Sequence, residues 1–426
     1  MKRSILYLSF AALVLSGCGA RARSARVLSA DTTAVTFNLS FEKAQATRLR
    51  LIPLKTMVPA ASLALDSTKT QHEVSVKLTE SMRDAFAAIV DISGGGIASA
   101  RIPEGTYRKG EMYEWKLEMA EPSVAVGKSP QHIQQMLLNI QAGQYSGITR
   151  MGDDTYAVVH DKASGGGLYI FTVNIRADGT VASVQSFETD AGGPSGRDNE
   201  DVVYVPETKT LFVSAEGDQT IREYRTDGRE TGRQLSVPED LKSIKSNAGF
   251  EALGYGNGTF WTTTEAPLPG EILPRLHRIQ SFSLKDLQPR DRYLYLSGEP
   301  AVSETEAASA QAYVFGISAM TVLPDGRLAV LEREVYVPGS GLFAKLAGSF
   351  TENSIYLVDP ARCTAGILEK TLLTRFRTSA LTLANFEGMC LGPKTADGRQ
   401  TLLLIADSQG GSGGLTGEYL RVIALP

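Results

Sequence analysis

The chain has 426 residues, of which 42% are hydrophobic and 21% are charged, and its formal net charge is −4 at pH 7. This composition is that of a globular protein with an apolar core, and the length allows a large repeat domain together with a smaller one. A chain this weakly acidic has no basic surface of the kind that binds nucleic acid, so we expect no nucleic-acid partner.

Residues 1–18 have the pattern of a bacterial lipoprotein signal peptide. Lys2 and Arg3 precede the apolar segment Ile5–Leu15, which is shorter than the roughly 20 residues needed to span a bilayer. The segment continues into Ser16-Gly17-Cys18, which with Leu15 resembles a lipobox, so Cys18 is the predicted lipidation site. A plain secretory signal that contains a cysteine is the alternative. We therefore expect an exported, monomeric protein of the bacterial cell envelope, anchored to the outer membrane by lipid at Cys18.

Residues 19–32 form a predicted linker, and residues 33–125 a predicted small β-sandwich of Ig-like type. Alternation of polar and apolar residues over Glu73–Leu78 and Tyr113–Met119 is typical of half-buried strands. Turn-forming residues such as Gly94-Gly95-Gly96 separate about seven such strands in this segment. We find no candidate catalytic chemistry in it.

Residues 131–426 contain a hairpin unit that repeats along the chain. In each unit a first strand leads through a turn to a second strand that ends in an acidic residue, and a third strand follows. The first strands begin around Ser146, Glu200, Glu251, Ser318 and Glu387, and the second strands end at Asp161, Glu216, Glu265, Glu332 and Asp407. Repeated short antiparallel strands without helical periodicity predict a β-propeller.

The repeats predict five blades that close into a ring. The last unit ends at Tyr419–Leu425 and lacks a fourth strand, whereas His132–Ile140 precedes the first unit without a blade of its own. We expect this N-terminal segment to complete the last blade, which removes two exposed sheet edges. A sixth blade built from the long loops is the alternative; these loops are Pro267–Pro274, Pro300–Tyr313 and Tyr336–Phe350.

The acidic residues of the repeats are predicted to meet at one rim of the propeller, because the start of each first strand and the end of each second strand share one face. Carboxylates this close raise one another's pKa unless a cation compensates. Oxygen-only ligands favour a hard ion, and a flexible set of them favours Ca²⁺ over Mg²⁺. The alternative is that the acids are structural. The predicted metal ligands are Glu200, Glu216, Glu251, Glu265, Glu332, Glu387 and Asp407, with Asp161 and Asp201 close by.

Three arginines next to the acidic positions are candidates for binding a substrate: Arg222, Arg278 and Arg333. Their planar groups suit bidentate recognition of phosphate, and they equally suit neutralisation of the acids. Nucleophilic catalysis is not expected. The match of Gly410–Gly414 to a nucleophile elbow lacks the helix that must follow it, and His160 is better explained as a structural residue than as a base.

Five motifs occur in the order Ser146-Gly147-Ile148, Asn199-Glu200-Asp201, Gly249–Leu253, Arg327–Arg333 and Asn385–Met389. Together they resemble the phytase-like family, which is described as having esterase-like activity. The resemblance implies a β-propeller and, by analogy with calcium-dependent propeller phytases, hydrolysis of phosphoesters. Asp201 departs from the family, which commonly has Gly there, and the fifth repeat ends in Asp407-Ser408-Gln409. These departures allow a weakened cation site.

Two hypotheses follow from the sequence. The first is an exported, Ca²⁺-dependent phosphoester hydrolase that acts on a small phosphorylated or ester ligand. The second is a non-enzymatic surface lipoprotein whose propeller binds such a ligand and whose sandwich domain acts as a spacer. Hydrolysis of such a ligand is expected under the first hypothesis and not under the second.

Overall fold

The computed structural model describes most of the chain from residue 28 onward. The described residues are 28–29, 34–40, 44–53, 61–77, 86–92, 97–102, 111–116, 132–136, 140, 143–161, 166–242, 249–271, 275–339, 348–364, 367–379, 382–408 and 417–426. The predicted signal peptide with Cys18, the domain boundary at residues 125–131 and the Gly410–Gly414 loop lie outside them. Among the described residues, no helix has the length and apolar character to cross a membrane.

The chain divides into two compact units. The first is Met1–Ser123 with the short segments Arg292–Leu294 and Asp359–Lys370, and the second is Val124–Asp291 with Tyr295–Val358 and Thr371–Pro426.

The first unit contains two four-stranded sheets. Their strands are β1 Leu28–Ser29, β2 Ala34–Ser40, β3 Ala46–Pro53, β4 Ala61–Ala64, β5 Gln71–Lys77, β6 Phe86–Ile92, β7 Ile97–Ile102 and β8 Glu111–Lys116. One sheet has the order β1-β8-β2-β5 and includes a parallel pair, β2 with β8; the other has the order β4-β3-β6-β7. Leu39 of the first sheet and Leu49 and Leu51 of the second are buried. This arrangement confirms the all-β prediction.

Most of the second unit consists of repeated antiparallel arrays of four strands, each strand hydrogen-bonded to the next along the chain. The parts of three of these strands that fall within Arg292–Leu294 and Asp359–Lys370 are grouped with the first unit. The first two arrays are β10 Tyr145–Arg150, β11 Thr155–His160, β12 Leu168–Ile175 and β13 Val181–Glu188, then β14 Asn199–Val205, β15 Thr210–Ala215, β16 Thr220–Arg225 and β17 Glu230–Gln234. The next two are β18 Phe250–Gly256, β19 Thr259–Thr264, β20 Leu276–Ser283 and β21 Pro289–Leu296, then β22 Ala312–Val322, β23 Leu328–Val337, β24 Phe350–Thr364 and β25 Ile367–Ser379. A parallel pair, Leu294 with Ile367, joins these two into one eight-stranded sheet.

The last array combines both ends of the second unit. It contains β26 Asn385–Leu391, β27 Thr401–Asp407 and β28 Tyr419–Ala424, and its fourth strand is β9 His132–Met136. Strand β9 runs antiparallel to β28, with His132 opposite Ile423 and Met136 opposite Tyr419. The prediction that the N-terminal segment completes the last blade is therefore confirmed.

The first strands of the arrays surround a common axis, since β10 contacts β14, β14 contacts β18, β18 contacts β22, β22 contacts β26, and β26 contacts β10. Apolar side chains fill the space between neighbouring arrays; for example, Tyr156 and Phe171 pack with Leu403 and Leu420. These observations confirm a β-propeller. The number of blades stays a prediction, but the described loop Pro300–Tyr313 forms a helix, α1 Glu304–Ser309, and no extra strand.

Candidate metal centre

A β-bulge interrupts the first strand of every repeat at the motif position. The register with the second strand shifts between Tyr145 and Gly147, Asn199 and Val202, Phe250 and Ala252, Ile317 and Ala319, and Phe386 and Gly388. Bulges redirect a side chain out of the regular pleat. The bulged residues are Ser146, Glu200 with Asp201, Glu251, Ser318 and Glu387, so the repeat offers glutamates in three arrays and serines in two.

The two bulged serines connect neighbouring arrays. Ser146 Oγ donates to the carbonyl oxygen of Asn199 at 2.5 Å, and Ser318 Oγ donates to that of Phe386 at 3.3 Å. In both cases the acceptor directly precedes a bulged glutamate. The serines therefore help to position Glu200 and Glu387.

The bulged glutamates lie within electrostatic range of one another and of the acids that end the second strands. Burial raises the pKa of Glu200 well above 4.5, and the carboxylates of Glu387, Asp161, Glu216 and Asp198 raise it further. Burial also raises the pKa of Glu251, reinforced by Glu200 and Glu265 and opposed by Arg333. The structure thus brings together five of the seven predicted ligands, which we call the acid ring: Glu200, Glu216, Glu251, Glu265 and Glu387.

Among the described residues, Asp161, Asp198 and Glu200 form a group of acids that could hold a metal ion, which we call the acidic triad. One carboxylate oxygen from each lies within 4.8 Å of the others, and Asp161 and Glu200 are buried. Two hydrogen bonds position the segments that carry these acids: the backbone N–H of Glu216 donates to Asp198 O at 2.8 Å, and the side-chain Nδ2 of Asn199 donates to His160 O at 3.2 Å.

Asp198 was not singled out by the sequence. It lies in the loop before β14 and has φ of 58°, a left-handed conformation that Asp tolerates better than most residues. The only sequence signal for it is its position two residues before Glu200. Asp161, by contrast, ends the second strand of its repeat as predicted.

A second group of acids surrounds Arg333. Its Nη1 donates to Asn385 Oδ1 at 3.1 Å and to Glu387 Oε1, and its Nη2 donates to Glu265 Oε1 at 2.6 Å. Burial would lower the pKa of Arg333, but the carboxylates of Glu387, Glu265 and Glu251 raise it above its ordinary value. The guanidinium is therefore a permanent positive charge within the ring.

Two predicted ligands have other surroundings. The prediction that the second strand of the fourth repeat ends at Glu332 is wrong, because β23 continues to Val337 and Glu332 lies within it, opposite Ile317. Glu332 accepts hydrogen bonds from Tyr295 Oη at 2.6 Å and from Gly298 N at 2.8 Å, so its two oxygens position the end of β21. Asp407 is buried opposite Asn385 in the register of β27 with β26. Next to it, Ser408 Oγ donates to Gly143 O at 2.6 Å and contacts Glu418.

Asp201, which departs from the family pattern, connects two arrays. Its Oδ2 accepts from Leu253 N at 2.8 Å and its Oδ1 from Val202 N at 2.8 Å. Burial raises its pKa although both backbone donors oppose the shift. The close fit also involves Gly147, where a Cβ atom would lie 2.5 Å from Asp201 Cα.

The other candidate residues lie in ion pairs or aromatic contacts. Arg222 pairs with Asp218 at 2.8 Å, and Arg278 pairs with Glu271 and, at 3.2 Å, with Asp240. His160 Nε2 accepts from Gln144 N at 3.2 Å, its ring packs edge-on against Tyr145, and burial lowers its pKa.

The donor set of the acidic triad fits a hard divalent cation. All of its ligand atoms are carboxylate oxygens, which suit Ca²⁺, Mg²⁺ or Mn²⁺ better than softer metals. Burial and mutual repulsion disfavour three adjacent negative charges, and a bound cation would remove that penalty. The part of the chain that the structure describes therefore contains a buried acidic cluster able to hold a metal.

Comparisons with known proteins place the chain in a family. No curated protein matches it in sequence. Solved structures that resemble it include hydrazine synthase from Kuenenia stuttgartiensis, with 12% identity, a TM-score of 0.32, and coverage of 67% of this chain and 82% of that chain. Another is a member of the DUF4221 family from Bacteroides vulgatus, with 7% identity, a TM-score of 0.38, and coverage of 70% and 97%. Neither similarity is high enough to bear on function.

The family model for phytase-like proteins, described as esterase-like activity of phytase, matches residues 140–409, which include all of the repeated hairpins. The chain belongs to the phytase-like family.

Proposed function

We propose that this protein is a Ca²⁺-dependent phosphoester hydrolase whose metal ion is held by Asp161, Asp198 and Glu200. The observation that supports this most directly is the approach of three carboxylate oxygens to within 4.8 Å of one another. Glu216, whose carboxylate raises the pKa of Glu200, is the proposed source of further oxygen ligands. A site with six to eight oxygens is the kind that Ca²⁺ prefers.

The proposed reaction assigns separate tasks to the metal and the protein. When bound, the ion supplies Lewis-acid polarisation of a phosphoryl oxygen and orients the attacking water. Glu251 is our candidate general base, since burial and its neighbours Glu200 and Glu265 raise its pKa well above 4.5. The side-chain amide of Asn199 and the backbone N–H of Glu216 position the segments that carry the triad.

The proposed location follows from the sequence. The lipobox at Cys18 supports export and lipid anchoring at the outer membrane of a bacterial cell, with the enzyme acting as a monomer on small phosphorylated compounds. A Cys18→Ser variant tests this location. It should be released from the membrane fraction, and persistence in that fraction would contradict the proposal.

Activity is tested on the purified protein with p-nitrophenyl phosphate, phytate and a simple carboxyl ester as substrates. We expect phosphate release that EDTA abolishes and Ca²⁺ restores. Glu200→Gln should lower kcat/KM by at least a hundredfold. The matched control Glu332→Gln changes a buried acid outside the triad and should leave the activity within about twofold. The absence of turnover on every substrate with and without Ca²⁺ would contradict the proposal.

A non-enzymatic binding protein is the second candidate. Arg222, Arg278 and Arg333, the candidates for binding a substrate, all contact carboxylates, so no role in positioning a substrate for hydrolysis is assigned to them. A propeller rim that only binds a ligand needs no group that moves a proton. This candidate predicts that phytate or another phosphate ester raises the Tm without product formation.

A further inference from the structure

A buried positive charge lies in the acid ring on the side of Glu265 and Glu387. The Arg333 side chain is only 6% exposed, and its two terminal nitrogens contact these two carboxylates. The three residues come from successive arrays, because Glu265 follows β19, Arg333 lies in β23 and Glu387 lies in β26. Arg333 therefore occupies a position between two carboxylates that a metal ion could otherwise bridge.

The acid ring is thus electrostatically uneven. Near Glu387, the guanidinium of Arg333 contacts the carboxylate and places a positive charge beside it. Near Glu200, carboxylate oxygens of Asp161 and Asp198 lie within 4.8 Å of its own, so like charges are gathered there. Arginine stays protonated even when buried, so the charge of Arg333 does not change with pH in the physiological range.

We propose that Arg333 takes the place of a second metal ion, and that the ring therefore binds a single divalent cation, at the acidic triad. The inference rests on the proposed Ca²⁺ site and adds its stoichiometry and the residue that sets it. A fixed guanidinium neutralises Glu265 and Glu387 whether or not Ca²⁺ is present. The acid ring would then hold one metal ion next to the fixed positive charge of Arg333. In this arrangement Arg333 is a positioning residue.

The test is Ca²⁺ titration by calorimetry, with metal analysis after dialysis, on the full-length protein and its Arg333 variants. Wild type should bind one Ca²⁺ per chain. Arg333→Gln, which removes the charge, should bind two, whereas Arg333→Lys, which keeps it, should bind one. A purely structural role of Arg333 would change the Tm of both variants but leave the stoichiometry at one.

The outcomes separate this inference from the proposed function. One Ca²⁺ in wild type and one in Arg333→Gln would overturn the role of Arg333 and leave the triad site standing. Two Ca²⁺ per chain in wild type would likewise overturn the role of Arg333 and leave the triad site standing. No Ca²⁺ in any of the proteins would overturn both proposals.

A second variant decides the matter if Arg333→Gln does not fold. Glu387→Gln removes a carboxylate that we assign to Arg333, so it should lose only a long-range electrostatic contribution to Ca²⁺ affinity, which is about tenfold at most. Glu200→Gln should lose at least a hundredfold under the same conditions. An equal loss in Glu387→Gln would show that Glu387 binds the metal, and would overturn the assignment to Arg333.

Discussion

At the scale of single residues, one position along a strand decides which side chain joins the acids at the axis. The residue opposite the position before the bulge is Thr264 in one array and Glu332 in the next, so Arg333, and not Glu332, corresponds to Glu265. Glu265 contacts Arg333, whereas Glu332 contacts Tyr295 and Gly298. Successive side chains of a strand point to opposite faces, so a shift of one position moves a carboxylate away from these acids. This is why the sequence could nominate a set of acids and could not choose among them.

Glu332 should therefore matter for stability and not for the metal. Glu332→Ala leaves Tyr295 Oη and Gly298 N without their buried acceptor, which costs about 2–3 kcal/mol. Glu332→Gln keeps an acceptor for Gly298 and should cost about 1 kcal/mol. Urea unfolding measures both changes. A tenfold loss of Ca²⁺ affinity in Glu332→Gln would contradict this assignment.

The raised pKa values of Glu200 and Glu251 predict how stability depends on pH. At a pH above 4.5 and below their folded-state pKa values, these carboxyls are protonated in the folded protein and ionised in the unfolded chain. Stability of the metal-free protein should therefore fall as pH rises from 4.5 through the folded-state pKa values. Ca²⁺ binding should oppose this fall and release protons.

The measurement is the Tm between pH 4.5 and 8, in EDTA and in millimolar Ca²⁺. The difference between the two curves should widen with pH. Glu200→Gln should flatten the curve in EDTA, because one of the buried ionisations is gone. Parallel curves for wild type would show that the buried acids are not linked to the metal.

At the scale of elements, the bulges determine which side chains the first strands present at the axis. The hairpin repeat predicts the positions of Ser146, Glu200, Glu251, Ser318 and Glu387, and a bulge lies at each of them. Asp198 could not be predicted in the same way, because it lies outside the strands and depends on a left-handed backbone conformation. Asp201 appeared to weaken the cation site, but its carboxylate bonds to the backbone of β18.

Strand β9 offers a test of ring closure with an internal control. Gln134 lies opposite Arg421 and Gln135 opposite Leu420. Neighbouring N–H groups of a strand point in opposite directions, so one of these two N–H groups points towards β28 and the other points away from it. Proline therefore removes a hydrogen bond to β28 at one position and none at the other. We expect one of Gln134→Pro and Gln135→Pro to lower the Tm by several degrees more than the other. Equal Tm values for both variants and wild type would contradict closure through β9.

At the scale of the whole molecule, alternation and repetition predict the all-β class, the propeller and its completion by the N-terminal segment. These features depend on burying apolar faces between arrays, and that requirement leaves a pattern along the sequence. The balance of charge in the acid ring leaves no such pattern, because it depends on one arginine that contacts residues far from it along the chain. Arg333 and Glu265 are an example, separated by 68 positions and joined by a 2.6 Å contact.

Anomalous diffraction from crystals grown with Ca²⁺ shows whether a cation occupies the acidic triad. We expect one anomalous peak bounded by the carboxylates of Asp161, Asp198 and Glu200, which disappears in crystals of Glu200→Gln and persists in those of Glu332→Gln. A peak between Glu265 and Glu387, or no peak at the ring in millimolar Ca²⁺, would contradict it.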